Sequence, residues 1–224
     1  MSELIDLLNN AEVMGNFTDA QKQRLASLAI RRVLKEDEVL CWQGDLWTNV
    51  LFITSGRLRS VINSSGGKSY VVGTWERGEE FWAHTLFDGE PMPSTLEAAQ
   101  ESVVYQWNGE DVLRILLDNS EAVRALLRRQ VKLIRKRRET ISDLAFQPVT
   151  GRLAKLLLEQ VPASETSAQR DLTLEQIASR VASSPEVICR TLYHLQREGF
   201  LQVTRASITL QDRAALERLV GTES

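Results

Sequence analysis

Apolar and polar positions give the chain two textures. Over residues 19–29 the apolar side chains Leu25, Leu28 and Ala29 fall on one helical face, with Thr18 placed to cap the start. From about 31 to 107 the pattern changes to short β-rich runs broken by turns. Val39-Leu40-Cys41-Trp42 ends at Gly44-Asp45, and Val50-Leu51-Phe52-Ile53 ends at Ser55-Gly56. The run 58–62 leads into Asn63-Ser64-Ser65-Gly66-Gly67, a hairpin signal, and runs at 70–73 and 102–107 follow. Many short strands at regular spacing predict a sandwich or barrel. Helical periodicity returns after Asn108. Asn119 or Ser120 is a cap for a long helix to about residue 145, and Pro148 opens another with Leu153, Leu156, Leu157 and Val161 inward. Residues 162–168 are polar and predict a surface loop.

The long helix carries two apolar stripes. Leu127, Val131, Ile134 and Ile141 follow coiled-coil spacing, with Arg138 interrupting the seam. Val123, Leu126, Leu133 and Leu144 lie beside it. Two adjacent stripes call for two partners, the β-rich region and a second copy of the helix. A helix wholly buried within one chain is the alternative.

The segment 172–192 is the most informative. Thr173 caps a short helix holding Ile177, Ala178 and Val181, and Ala182-Ser183 makes a tight turn. Ser184 caps the next helix, with Pro185 in its first turn and Ile188, Leu192 and Leu195 inward. That is the pattern of a helix-turn-helix, whose second helix enters the DNA major groove. Gly199-Phe200 ends this helix, and 201–210 reads as a two-stranded wing with Arg205 near its tip. The second helix exposes Glu186, Cys189, Arg190, Tyr193 and Arg197 on one face. Arginine donates two bonds to guanine and glutamate accepts from cytosine N4, while Arg197 suits a phosphate.

Composition narrows the class. The 224 residues are enough for two domains, 43% hydrophobic and 25% charged, as in a soluble globular protein. No apolar run approaches the roughly 20 residues of a membrane span, and the acidic N-terminus lacks the basic start of a signal peptide, so a cytoplasmic protein without a membrane partner is expected. Cys41 and Cys189 form no metal-binding pair. The net charge is -3, and residues 146–224 carry nine Lys/Arg against nine Asp/Glu, so DNA binding has to rest on a local basic face and on two copies. There is no P-loop, no GxSxG and no metal-spaced histidine cluster, hence no expectation of an enzyme.

Four stretches in order resemble the CRP/FNR family of bacterial regulators: Phe52–Arg59, Arg77–Phe81 with Leu86-Phe87, Leu144–Ala154, and the helix-turn-helix. The resemblance implies an α+β fold. Its parts are a β-roll like a cyclic-nucleotide-binding jelly roll (1–117), a dimerisation helix and hinge (118–146), and a winged helix-turn-helix (147–224). It implies a homodimer through Leu127, Val131, Ile134, Arg138 and Ile141, a palindromic double-stranded operator, RNA polymerase as a partner, and effector control. Glu186 and Arg190 would read the core of each half-site, and Ser184, Cys189, Tyr193, Arg197 and Arg205 complete the DNA-binding set. Members that respond to cAMP carry arginine where this chain has Pro185, so the half-site is expected to be nearer the FNR type. Ala182 replaces the usual turn glycine, at a cost of roughly 1–2 kcal/mol if left-handed.

The effector pocket departs further from the cAMP responders. It would be formed by Phe81, Trp82, Ala83, His84, Thr85, Ser94, Thr95, Arg137 and Arg138. Ala83 and His84 stand where cAMP binders have Gly and Glu, and Pro93 where they have the phosphate-binding Arg. A cyclic phosphate would lose its charge-assisted donor, so no useful cAMP binding is expected. Arg137 and Arg138 replace small hydroxyl residues and suit a different anionic ligand, such as a carboxylate. The cofactor expectation is none, with haem on His84 as the alternative because 81–85 resembles the haem-bearing stretch of CO-sensing relatives. Cys189, if oxidised, would place an anion against phosphate and block docking; a small uncharged filler is the plain alternative. The tryptophans Trp42, Trp47, Trp75, Trp82 and Trp107 are expected in the core. A regulator needing no ligand, and a cyclic-nucleotide-like or haem-binding module without DNA function, are the competing readings.

Overall fold

The computed structural model describes residues 2–64, 69–169, 172–204 and 206–221. In chain order it holds α1 (Ser2–Leu8), a 3-10 turn (Met14–Asn16), α2 (Asp19–Leu28), β1 (Ile30–Leu34), β2 (Val39–Cys41), β3 (Asn49–Ser55), β4 (Arg57–Asn63), β5 (Ser69–Glu76), β6 (Glu80–Trp82), α3 (Thr85–Asp88), β7 (Thr95–Ala98) and β8 (Ser102–Asn108). There follow α4 (Gly109–Leu117), α5 (Ser120–Phe146), α6 (Val149–Gln160), β9 (Ser167–Gln169), α7 (Leu174–Val181), α8 (Pro185–Arg197), β10 (Leu201–Val203), β11 (Ser207–Leu210) and α9 (Arg213–Gly221). The chain divides into two compact units, Met1–Ile62 with Val71–Ile134, and Asn63–Tyr70 with Arg135–Ser224.

The first unit is a β-roll of two four-stranded sheets, ordered β1-β8-β3-β6 and β2-β7-β4-β5. The strand β3 explains how the roll is built. Its apolar run is buried on both faces, so alternate residues serve different cores. Leu51 and Ile53 join Cys41, Leu58, Phe81, Leu96 and Val104 between the sheets. Val50 and Phe52 join Trp82 and Trp107 on the other face, under Leu8, Leu25, Val112 and Leu126 from the helices. Gly56 turns β3 into β4 at φ +83, and a Cβ there would stand 2.4 Å from the Glu101 carbonyl oxygen. Thr18 caps α2 through a reciprocal box with Gln21, and the Asn119 side chain accepts from the Ala122 amide at 3.0 Å at the start of α5.

Several expectations need correction. Trp42 and Leu28 are exposed, whereas Trp82 and Trp107 are core residues. In the second stripe of the long helix Leu126 is buried but Leu144 is exposed. Pro148 is the N-cap of α6, extended at ψ 160, and the helix proper begins at Val149. Within the polar segment read as a loop lies β9, which adds a third strand to the wing by pairing with β11. The helices α1 and α9 and the 3-10 turn had no sequence expectation. The β4–β5 hairpin forms, but turn residues 65–68 lie outside the described residues. Burial pushes the Cys41 thiol up to about 11, which leaves it unreactive.

One buried charge organises the helical cover of the roll. Glu80 on β6 is only 1% exposed. Its Oε1 accepts from the Val13 amide at 3.0 Å and the Met14 amide at 2.8 Å. Its Oε2 accepts from Trp82 Nε1 at 2.8 Å and from Arg129 Nη1 at 3.4 Å. Arg129 Nη2 also donates to the Glu80 carbonyl. Burial raises the carboxyl above the ordinary carboxylate range, and the two backbone amides, the indole and the guanidinium offset this in part. Arg129, itself buried, comes from α5, so one carboxylate ties the N-terminal 3-10 turn, the edge strand β6 and the long helix together. Lys132 on the same helix holds Glu12 at 2.6 Å.

Removing one partner of such a pair leaves an uncompensated buried charge, which costs about 3–5 kcal/mol. Glu80→Ala is therefore expected to lower stability by about that amount in urea unfolding, with a loss below about 1 kcal/mol contradicting the assignment.

Candidate nucleic-acid interface and sensor pocket

The second unit packs α6, α7, α8 and α9 with the small sheet β10-β11-β9 around Leu153, Leu157, Ile177, Val181, Ile188, Leu195 and Leu216. Thr173 and Gln176 form a capping box at the start of α7, at 2.9 and 3.2 Å. The turn to α8 is built on Ala182, left-handed at φ 55, which costs a residue with a Cβ roughly 1–2 kcal/mol. Arg152 on α6 compensates. Its Nε donates to the Val181 carbonyl at 2.9 Å, Nη1 to Gln147 at 2.7 Å and Nη2 to Ala182 at 3.5 Å. Arg152 thus clamps the turn that aims α8. The sequence pattern does not reveal this role of Arg152, because two of its three carbonyl partners lie about 30 residues away.

Ser184 caps α8 by accepting from the Val187 amide at 3.4 Å, and Pro185 occupies the first turn. With Ile188, Leu192 and Leu195 buried, the remaining positions Glu186, Cys189, Arg190, Tyr193 and Arg197 are all exposed. The Ser184 hydroxyl holds the Glu186 carboxyl below the ordinary carboxylate range, helped by its own amide and by Arg190. Glu186 is therefore an anionic acceptor at neutral pH, one helical turn from a guanidinium. The face offers an acceptor, a bidentate donor, a second arginine and an aromatic ring within three turns. The Cys189 thiol is exposed on it. In the wing Leu201 pairs with Leu210 and Val203 with Ile208, and Thr204 Oγ1 accepts from the Ala206 and Ser207 amides at 3.2 and 2.9 Å. Arg205 lies outside the described residues.

On α5 the stripe Leu127, Val131, Ile134 and Ile141 is exposed to 61, 50, 64 and 66%. Arg138 on the same stripe is also exposed.

Of the residues expected at the effector pocket, those in the roll do not share one face. Phe81 and Trp82 are adjacent in β6 and point to opposite faces. Phe81 packs between the sheets, 6.0 Å from Trp47 and 4.8 Å from Trp75 by ring centroids, with Ala83 in the same core. Trp82 faces the helices. Ser94 Oγ is shared with Ser60 Oγ at 2.5 Å, and Thr95 Oγ1 accepts from the Gln43 amide at 3.1 Å. His84 is half-buried at the N-cap of α3, and Thr85 beside it is buried. Arg137 and Arg138 are exposed and belong to the second unit. Among the described residues, no group of three or more His, Cys, Asp or Glu is placed to hold a metal, and no helix is long and apolar enough to cross a membrane.

Comparison with known proteins agrees with both units. Residues 31–119 match the cyclic nucleotide-binding domain model, and residues 151–219 match the Crp-like helix-turn-helix domain. A CRP-like cAMP-activated global transcriptional regulator of Mycobacterium tuberculosis is 25% identical over 182 residues, 79% of this chain and 81% of that protein. The transcriptional activator protein FnrA of Stutzerimonas stutzeri is 25% identical over 198 residues, 85% and 80% of the two. The solved structure of a Eubacterium rectale protein of the crp/fnr family superposes with a TM-score of 0.78 at 22% identity, covering 96% of this chain and 100% of that one. A β-roll with a long helix and a winged helix-turn-helix, matched by both domain models in the same order, places the chain in the CRP/FNR family, as a DNA-binding transcription regulator and not an enzyme.

Proposed function

We propose that the chain acts as a homodimer that sets two copies of α8 into successive major grooves of a palindromic operator. The observation that carries this reading is the capped helix α8, with Glu186 and Arg190 exposed one turn apart and the opposite face buried. Arg190 reads guanine O6 and N7, and Glu186 accepts from cytosine N4. Ser184, Cys189 and Tyr193 line the same face, while Arg197, with Arg205 of the wing, holds phosphates. Pro185 offers no donor to a base edge, which favours an FNR-type, TGA-containing half-site over the cAMP-receptor type. Dimerisation is supported by the exposed apolar stripe of α5, since four large side chains at 50–66% exposure on one helix need a cover. Acting on RNA polymerase in the cytoplasm belongs to the same reading.

The effector in this reading is not cAMP, or no ligand is used. The Mycobacterium relative is named for activation by cAMP. This chain has Ala83 and His84 in place of the pair that would bind ribose, and Pro93 in place of the phosphate-binding arginine. Phe81, Trp47 and Trp75 supply aromatic packing inside the roll.

In gel shifts on a TGA-containing palindrome, Arg190→Ala is expected to weaken binding by about 1–3 kcal/mol, roughly 5- to 150-fold, and to relax specificity at one base pair. Arg197→Ala is expected to weaken all sequences alike and to reduce the salt slope by about one unit per copy. An Arg190→Ala variant with full affinity and specificity would refute the groove assignment. Ile134→Glu sets like charges against each other in the seam, so sedimentation should show single chains and operator binding should collapse; an unchanged dimer would place the interface elsewhere. Titration calorimetry with cAMP should give no saturable binding tighter than about 1 mM, and micromolar binding would overturn the effector reading.

A further inference from the structure

The chain turns the corner between α5 and α6 in only two residues, Gln147 and Pro148. Pro148 fixes its own φ at -63, and the torsions on either side of it set the angle between the helices. Apolar packing does little to hold that angle, because Leu144 and Phe146 at the end of α5 are 39 and 65% exposed. A charge pair spans the corner instead. Asp143 stands about one turn before the end of α5, and Lys155 about two turns into α6. Lys155 Nζ donates to Asp143 Oδ2 at 2.5 Å. Glu139 on α5 and Glu159 on α6 add negative charge around the same ammonium. The Asp143 bond raises the lysine above its ordinary range, against the opposing effect of burial, so it stays charged. One bond between the two helix arms closes a triangle at the corner. The orientation of α6 is then handed on by Arg152, one turn earlier on the same helix. Its bonds to the Val181 and Ala182 carbonyls hold the turn that precedes α8, and its bond to the Gln147 carbonyl steadies the corner itself.

We propose that Asp143 and Lys155 are positioning residues that set the distance between the two α8 helices of the dimer, and with it the half-site spacing that an operator must have. This rests on the dimer reading above. Each copy reads one half-site, so a swing of α6 about its corner moves the two reading helices in opposite directions and counts twice. One base pair of spacing is about 3.4 Å along the duplex and about 35° around it, a displacement that an unbraced corner absorbs and a braced one resists. A partly exposed ion pair of this kind, with the lysine and aspartate side chains 39 and 29% exposed, adds little to folding stability. Its effect is on one angle between two rigid helices.

Fluorescence anisotropy with the full chain tests this on four duplexes: a TGA-containing palindrome at the spacing the wild type binds best, the same palindrome with one base pair added, the same with one removed, and a single half-site. The wild type is expected to bind the respaced operators about 100-fold more weakly than the best one, and Asp143→Asn and Lys155→Met only about tenfold more weakly. All three proteins should bind the single half-site alike and unfold at the same temperature. Lys155→Arg keeps the bond and should keep the wild-type discrimination. The double variant of Asp143→Asn with Lys155→Met should match either single one, because the two residues act as one unit. Single variants as strict about spacing as the wild type overturn the inference and leave the dimer standing, as do effects that add in the double variant. A loss on the single half-site equal to the loss on the palindrome overturns it too, since the pair would then shape one reading head and not the spacing of two. A wild type that binds the single half-site as tightly as the palindrome overturns the dimer reading itself.

Discussion

A carboxylate sealed inside a small domain has to be answered by donors, and Glu80 is answered from three separate segments. The Val13 and Met14 amides, the Trp82 indole and the Arg129 guanidinium converge on its two oxygens. None of these donors finds water in the core, so each is held to its place by the cost of leaving a partner unpaired. The N-terminal 3-10 turn, strand β6 and the long helix are thereby fixed to one another more sharply than apolar packing alone would fix them. The same strand leads into α3. A single side chain thus connects β6 to α5.

The same economy operates at the DNA-reading end. The turn between α7 and α8 accepts a left-handed alanine, and Arg152 bonds to carbonyls on both sides of that strained point. The geometry that aims α8 is held by a side chain from α6, outside the helix-turn-helix itself. What α8 then presents is simple chemistry: an anionic acceptor kept ionised by Ser184, and a guanidinium one turn later. Weak overall charge in this half of the chain leaves DNA binding to a small, well-aimed face.

Inside the roll, the strand pleat decides what a sequence-adjacent set of residues can do together. Phe81 and Trp82 are neighbours in the chain, yet the period of two sends them to different cores. The aromatic contacts of Phe81 with Trp47 and Trp75 occupy the space between the sheets with apolar surface.

Much of this protein was legible before any coordinates. The short β-rich runs between 31 and 107, broken by turns, marked a sandwich or barrel, and the resemblance made it a β-roll. The caps Thr18, Thr173 and Ser184 each bond as their residue types require. The heptad spacing of Leu127, Val131, Ile134 and Ile141 marked a face that is indeed exposed in the single chain. Tertiary structure alone decided the rest. β9 is a polar Ser-Ala-Gln triplet whose strand character comes from the edge of β11, not from its own pattern. Trp42 is large and apolar yet more than half exposed. Glu80 and Arg129 are 49 residues apart, and no local rule couples a charge on a strand to a charge on a helix at that distance. Sequence patterns report which side of an element is apolar; only the folded chain determines which polar groups meet once those sides are buried.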